Sequence, residues 1–436
     1  MKYFGTDGIR GKAYSELTLD LSYQLGLAIN HFHKEVVIGI DTRYSSLDLA
    51  KAFISGLKQP YQFAGVVPTS AIMLYSYSHK VLGVMITASH NPYYDNGFKI
   101  INNGEKISAD EQVILEMKID ENRNEKYLPI GNQLSLNKNI FNEYVLKLKK
   151  HAFNSKSKVL FDAANGCFSE ILPLLIDEKD VINNKPNGLN INDNCGATNV
   201  SNLICEVKKR GYDLGVAFDG DGDRVIFVDK ENNIYKGDFL IYILATKLKE
   251  KLLLKDNFVI LSELTNPGIL EGLKDENINY YLTPVGDTNI TNRIKEGYVL
   301  GGEPSGHIIN TLILPFGDGL INAFEILRLL EDKSIKEYLN QIKLFYHRQY
   351  NYQVKYPFRL HQEKTNKIIK KFSNSNASLK IRKSGTEKVI RIDYFTKDNN
   401  ETNKTMERII KGVKKCIKKN YWKRWIEMFI LMKMLF

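Results

Sequence analysis

The chain has 436 residues, 43% of them hydrophobic and 25% charged, the balance of a water-soluble globular protein with room for three or four domains. Its 61 lysines and arginines exceed 50 acidic residues by 11, but the excess is lysine dispersed among asparagine and isoleucine rather than gathered in a stripe. That pattern speaks against a nucleic-acid partner and for an anionic small-molecule substrate.

Cys167, Cys195, Cys205 and Cys416 form no C-x-x-C pair, which excludes a disulfide framework or zinc site and fits a reducing, cytoplasmic setting. The amino terminus lacks a signal-peptide core, and no segment approaches the roughly 20 apolar residues of a membrane span. No membrane association is expected for the main body.

In chain order, Leu21, Leu25, Ala28, Ile29 and Phe32 recur at helical spacing after Thr18, a cap residue, and residues 36–40 then read as a buried strand. A second strand over 81–87 runs into Thr87-Ala88-Ser89-His90-Asn91-Pro92. Loops after strands are where α/β folds meet ligands, so Ser89 is a candidate nucleophile, although Ser-x-Asn-Pro is also an ordinary turn and His90 alone reads as structural. Lys99, in DNGFKI, is either a general acid/base or an exposed surface lysine.

After a polar helical connector over 136–150 the alternation restarts, with strands at 159–161 and 214–218 and a helix at 205–210. The second strand leads into Asp219-Gly220-Asp221-Gly222-Asp223-Arg224. Three carboxylates that close repel unless a cation sits among them, and an all-oxygen ligand set selects a hard ion such as Mg²⁺. A calcium loop of the EF-hand type is excluded, because Arg224 and Lys230 stand where it needs glycine and glutamate.

A third restart places strands at 258–261 and 298–300, followed by Gly301-Gly302-Glu303-Pro304-Ser305-Gly306-His307. That turn suits the hydroxyls of a sugar, and equally a buried polar cluster. From about 346 the pattern changes to short strands closed by a long helix, whose face is formed by Met406, Ile409, Ile410, Val413 and Ile417. Between the strand sequences SLKI and VIRIDYF lies Arg382-Lys383-Ser384-Gly385-Thr386, with Arg391 beyond: a phosphate cradle or a plain hairpin.

The expected domains are 1–150, 151–250, 251–348 and 349–420. A tail, 421–436, has apolar runs too short to cross a bilayer. The sequence gives no oligomeric state.

Taken in this order, FGTDGIRG (4–11), TASHNPYYDNG (87–97), INDNCGATN (191–199), AFDGDGDR (217–224) and RKSGTE (382–387) resemble the α-D-phosphohexomutase family, most closely its branch acting on glucosamine phosphates, over residues 1–420. The resemblance implies an α/β protein of four domains, three similar mixed α/β domains plus a smaller C-terminal α+β domain. One loop from each would line a central cleft.

The implied reaction interconverts glucosamine 6-phosphate and glucosamine 1-phosphate, feeding amino-sugar nucleotide and cell-wall precursor synthesis. A bisphosphorylated sugar is its intermediate and activator. Ser89 would be the phosphoserine, holding one Mg²⁺ per subunit together with Asp219, Asp221 and Asp223. Lys99 would be the acid/base group, with Thr6, Arg10, His90 and Arg224 around the reacting phosphate. Glu303, Ser305 and His307 would form the sugar loop, and Arg382, Ser384, Gly385, Thr386 and Arg391 would grip the other phosphate.

Two departures fall near the sugar loop: Thr288 stands where the branch has arginine after Gly-Asp, and Pro304 where glutamine is common. A phosphomannomutase/phosphoglucomutase is the alternative; GFKI suits it as well, whereas YDNG and SGTE argue against it. A non-catalytic phosphosugar-binding protein would have lost the serine or an aspartate, and all are present.

Overall fold

Short apolar runs bounded by turn residues become the central strands of three sheets. In this computed structural model, residues 2–5, 7–129, 134–354, 358–383, 389–400 and 402–419 are described. The chain forms two compact units, Met1–Glu263 with Glu276–Tyr338, and Leu264–Asp275 with Leu339–Phe436.

The first unit holds all three sheets. In the first, every residue of the strand Val36–Ile40 is buried, as a strand covered on both faces requires. It pairs in parallel with Tyr61–Val66 and with Leu82–Ile86. Leu82–Ile86 then pairs antiparallel with Asp95–Asn102, which in turn pairs with Gly8–Lys12. The helix Leu19–Ile29 begins as expected at Thr18, whose Oγ1 accepts a hydrogen bond from Leu21 N at 3.1 Å. Leu25, Ala28 and Ile29 from that helix, Leu49 and Phe53 from Ser46–Ser55, and Leu115 and Ile119 from Ala109–Glu121 build its core.

The second sheet sets Val159–Asp162 parallel to Leu214–Phe218 and to Val181–Ile182. The third sets Phe258–Ser262 parallel to Asn279–Thr283 and to Leu300–Gly302. All three share one device: a parallel strand doubles back into an antiparallel neighbour. Leu214–Phe218 pairs so with Val225–Asp229, and Leu300–Gly302 with Ile308–Asn310, just as Leu82–Ile86 does with Asp95–Asn102. The connecting turns are residues 87–94, 219–224 and 303–307, the motif segments.

In the second unit, Tyr346–Gln353, Val389–Thr396 and Ala377–Lys383 form an antiparallel sheet. Its core joins Leu379, Ile390 and Ile392 to Met406, Ile409 and Val413 of the helix Thr402–Lys414. Ile417 does not continue that helical face. The chain turns after Lys414, and Ile417 opens the strand Ile417–Lys419, paired with Phe358–Leu360. The strand expected at 298–300 likewise starts two residues later, because Tyr298 N still closes the preceding helix on Ile294 O. The tail 421–436 lies outside the described residues. Among those described, no helix is long and apolar enough to cross a membrane.

Candidate active site

The serine and aspartate turns meet through Ser89 and Asp219, and main-chain hydrogen bonds tie the aspartate turn to the segments on either side of it. Thr69 N donates to Asp221 O at 3.0 Å, Gly319 N to Gly222 O at 2.9 Å, and Val225 N to Gly306 O at 3.1 Å. The aspartate turn is thus held on one side by the first α/β segment and on the other by the third. Its glycines are sterically required. Gly222 has φ +76°, and a Cβ on Gly220 would lie 2.7 Å from Ser89 O.

Ser89 is buried and adopts φ +52°, a left-handed conformation that is unfavourable for serine and has to be imposed by its surroundings. Ser89 N donates to Thr87 Oγ1 at 2.8 Å, and Ser89 Oγ donates to Asp219 Oδ2 at 2.7 Å. His90 Nδ1 lies 3.4 Å from the same hydroxyl. Its imidazole pKa is lowered to about 2, first by the Arg224 guanidinium, then by burial and by Arg10, so the ring is neutral near pH 7.

Asp219, Asp221 and Asp223 are all buried, with one carboxylate oxygen of each within 4.8 Å of the others. Lys99 is not an exposed surface lysine. It is 2% exposed, and its Nζ lies 2.6 Å from Asp221 Oδ2 and 2.8 Å from Asp223 Oδ2. Burial opposes its charge, but Asp221, Asp223 and Asp7 outweigh that and hold its pKa well above the usual lysine range. For Asp219, burial first, then Asp223 and Asp221, outweigh the Arg224 guanidinium and push its carboxyl up to about 8. Thr69 Oγ1 donates to Asp221 Oδ2 at 2.5 Å.

A cation fits this donor set. Asp221 Oδ1 and Asp223 Oδ1 are buried carboxylate oxygens without a hydrogen bond, and a hard metal ion takes such oxygens. Lys99 pairs through Oδ2 with Asp221 and Asp223 and leaves these two Oδ1 atoms available.

Around this centre the structure gathers most of the sequence-derived site. Arg10 is ion-paired to Asp7, which Lys106 also contacts while reaching across to Asp287. Arg224 Nε lies 3.7 Å from Asp219 Oδ2 and 3.8 Å from Asp223 Oδ1. His307 Nδ1 lies 3.8 Å from Asp223 Oδ1; burial disfavours its charge, but Asp223 raises its pKa. Glu303 is 9% exposed and accepts from Gly286 N at 3.0 Å, and Ser305 Oγ is buried without a hydrogen bond.

Thr6, Ser384, Gly385 and Thr386 lie outside the described residues. Arg382 and Arg391 belong to the second unit, where they face each other across adjacent strands, with Arg382 Nε 3.8 Å from Asp393 Oδ2.

Sequence reasoning missed Asp7, Arg43, Thr69, Lys106 and the side chain of Asn192 as contributors. Arg43 had a usable signal, because Asp41-Thr42-Arg43 directly follows the strand Val36–Ile40, the same strand-end position that singled out Ser89.

Family models for phosphoglucomutase/phosphomannomutase alpha/beta/alpha domains I, II and III match residues 1–126, 141–233 and 236–345. The chain belongs to the phosphoglucomutase/phosphomannomutase family. It is an enzyme of the phosphohexomutase type, an isomerase that works by phosphoryl transfer.

Among curated relatives, the chain is 36% identical to a phosphoglucosamine mutase of Caldicellulosiruptor bescii, over 94% of this chain and 98% of that protein. It is 35% identical to the phosphoglucosamine mutase of Bacillus subtilis, over 95% and 98%. The fold matches a family protein of Burkholderia thailandensis with a TM-score of 0.77 at 20% identity, covering 95% and 97%. It also matches the N-acetylphosphoglucosamine mutase of Aspergillus fumigatus in complex with GlcNAc-6P and magnesium, with a TM-score of 0.63 at 17% identity, covering 95% and 96%.

Proposed function

We propose that this phosphohexomutase is a magnesium-dependent phosphoglucosamine mutase. It interconverts glucosamine 6-phosphate and glucosamine 1-phosphate through a phosphoserine at Ser89 and a bisphosphorylated sugar. The observation that carries the reading is the 2.7 Å approach of Ser89 Oγ to Asp219, beside two further carboxylates and a buried lysine. The identity of about one third to curated phosphoglucosamine mutases over nearly the whole chain supports the choice of sugar.

Ser89 carries the phosphoryl group, gives it to the free oxygen of a bound sugar monophosphate, and takes the other phosphoryl group back once the bisphosphate has reversed its orientation. Lys99 is the acid/base group: as an ammonium it gives a proton to the sugar oxygen when Ser89, handing its own hydroxyl proton to Asp219 Oδ2, retrieves a phosphoryl group, and as the amine so formed it takes the sugar hydroxyl's proton in the opposite direction. Arg10 and Arg224 neutralise phosphoryl oxygens in this reading. Neutral His90 serves by hydrogen bonding.

Glu303, Ser305 and His307 meet the sugar hydroxyls, with Thr6 at the reacting phosphate. Arg382, Ser384, Gly385, Thr386 and Arg391 take the distal one. Asp219, Asp221, Asp223 and the Ser89 oxygen would hold one Mg²⁺, which neutralises charge on the transferring group when bound. The dispersed free cysteines fit a cytoplasmic setting.

The test is a comparison of kcat/KM on glucosamine, glucose and mannose 6-phosphates, with Mg²⁺ and a bisphosphate activator. Preference for glucosamine 6-phosphate is expected. Preference for glucose or mannose phosphate would move the enzyme to the phosphomannomutase/phosphoglucomutase reading, and inactivity on all three would leave a phosphosugar-binding protein.

A further inference from the structure

Ser89 sits in a backbone conformation that serine does not choose, so something else must hold the turn. The main-chain oxygens of Ser89 and Asn91 both point at the same two side chains. From one side comes Arg43, buried and paired through Nε with Asp41 Oδ2 at 2.8 Å. Its Nη2 donates to Ser89 O at 2.9 Å and to Asn91 O at 2.8 Å, while Nη1 donates to Asp95 O at 3.1 Å and also contacts Pro92 O. From the other side comes Asn192, whose Nδ2 donates to Ser89 O at 2.9 Å and to Asn91 O at 3.2 Å. Each of these two carbonyl oxygens has two lone pairs, and both are engaged.

The two donors differ in origin. Arg43 belongs to the same α/β segment as the serine and can hold the turn together. Asn192 belongs to the second segment, where its own N–H is fixed on Ala164 O at 2.9 Å. Its amide lies against Gly220: a Cβ there would stand 3.0 Å from Asn192 Nδ2 and 2.7 Å from Ser89 O. Asn192 therefore ties the back of the serine turn to the second α/β segment, beside the loop that carries Asp219. Asn192 has φ +57°, a conformation asparagine tolerates better than most residues. The orientation of the amide is fixed chemically, since a flipped side chain would set its oxygen against two carbonyl oxygens.

We propose that Asn192 is a positioning residue for phosphoryl transfer, setting the register of Ser89 Oγ against the Asp219 loop. The inference rests on Ser89 being the phosphoryl carrier. Asn192 touches neither the hydroxyl nor the carboxylates. It acts through the serine main chain, and displacements of about 1 Å at reacting atoms cost on the order of 10²-fold in rate.

The experiment uses the full chain with Asn192→Asp, which keeps size and left-handed tolerance but removes the donor, and Asn192→Gly, which removes the side chain without backbone strain. Two rates are read: phosphorylation of Ser89 by a hexose 1,6-bisphosphate, followed by intact mass, and steady-state turnover. Both variants are expected to lower the phosphorylation rate and kcat by about tenfold or more, with KM for the sugar phosphate within about threefold of the parent.

Unchanged rates in both variants, whatever happens to Tm, overturn the proposal. So does a KM rise that accounts for the whole loss. If the parent chain itself is not phosphorylated at Ser89 by the bisphosphate, the assignment of Ser89 fails instead, and the two failures are told apart.

Discussion

Ser89 Oγ donates a 2.7 Å hydrogen bond to Oδ2 of Asp219, a residue 130 positions further along the chain and on a different sheet. The contact joins a hydroxyl to a carboxylate whose pKa is raised by burial and by the aspartates beside it. If this pair is the seat of transfer, Ser89→Ala removes the carrier without leaving a buried charge. Turnover is expected to fall on the order of 10³-fold or more, with circular dichroism and Tm close to the parent. Retained activity in a steady-state assay would take Ser89 out of the reaction.

The carboxyl of Asp219, raised to about 8 by burial and then by Asp223 and Asp221, is mainly protonated at pH 7 and ionised above pH 8. A bound cation requires the ionised form. Binding of Mg²⁺ at pH 7 should therefore release close to one proton, and apparent affinity should weaken by about tenfold per pH unit as pH falls below 8. Titration calorimetry in two buffers of different ionisation heat measures both effects. Affinity that stays flat between pH 6 and 8 would contradict the proton release.

Lys99 is the counter-ion of Asp221 and Asp223. Lys99→Met leaves those buried carboxylates facing each other, with an expected stability loss of about 3–5 kcal/mol in the presence of a chelator. Added Mg²⁺ should restore part of it, giving a larger metal-induced rise in Tm than in the parent. Equal rises in both proteins would show that lysine and cation do not serve the same carboxylates.

Gly220→Ala places a methyl group 2.7 Å from Ser89 O and from Ile191 Cδ1. One neighbour is backbone, so the turn has to move. We expect a stability loss of about 1–3 kcal/mol in urea denaturation, accompanied by a lower kcat, because the displaced atom belongs to the nucleophile's own residue.

The strands and most helices were readable because burial imposes a period on the chain. The all-apolar run of Val36–Ile40 and the Thr18-capped helix Leu19–Ile29 both formed where expected. Ile417 misled because its spacing continues a helical stripe, while its actual partner, Leu360, lies 57 positions upstream and is chosen by strand pairing. The burial of Lys99 was not legible locally for a related reason. Its strand Asp95–Asn102 is polar at its start, and nothing local says that three aspartates will surround the ammonium.

Three turn segments with their chemistry-bearing side chains, the repeat of the α/β pattern and the family likeness are properties of this sequence alone, since they depend on residue type and spacing. Which atoms meet was decided only by the tertiary structure. The pairing of Ser89 with Asp219, the burial of Lys99 and the grip of Arg43 and Asn192 on two carbonyls all join residues dozens to more than a hundred positions apart. Their energies come from desolvation and from directional hydrogen bonds, and neither exists until the sheets have packed.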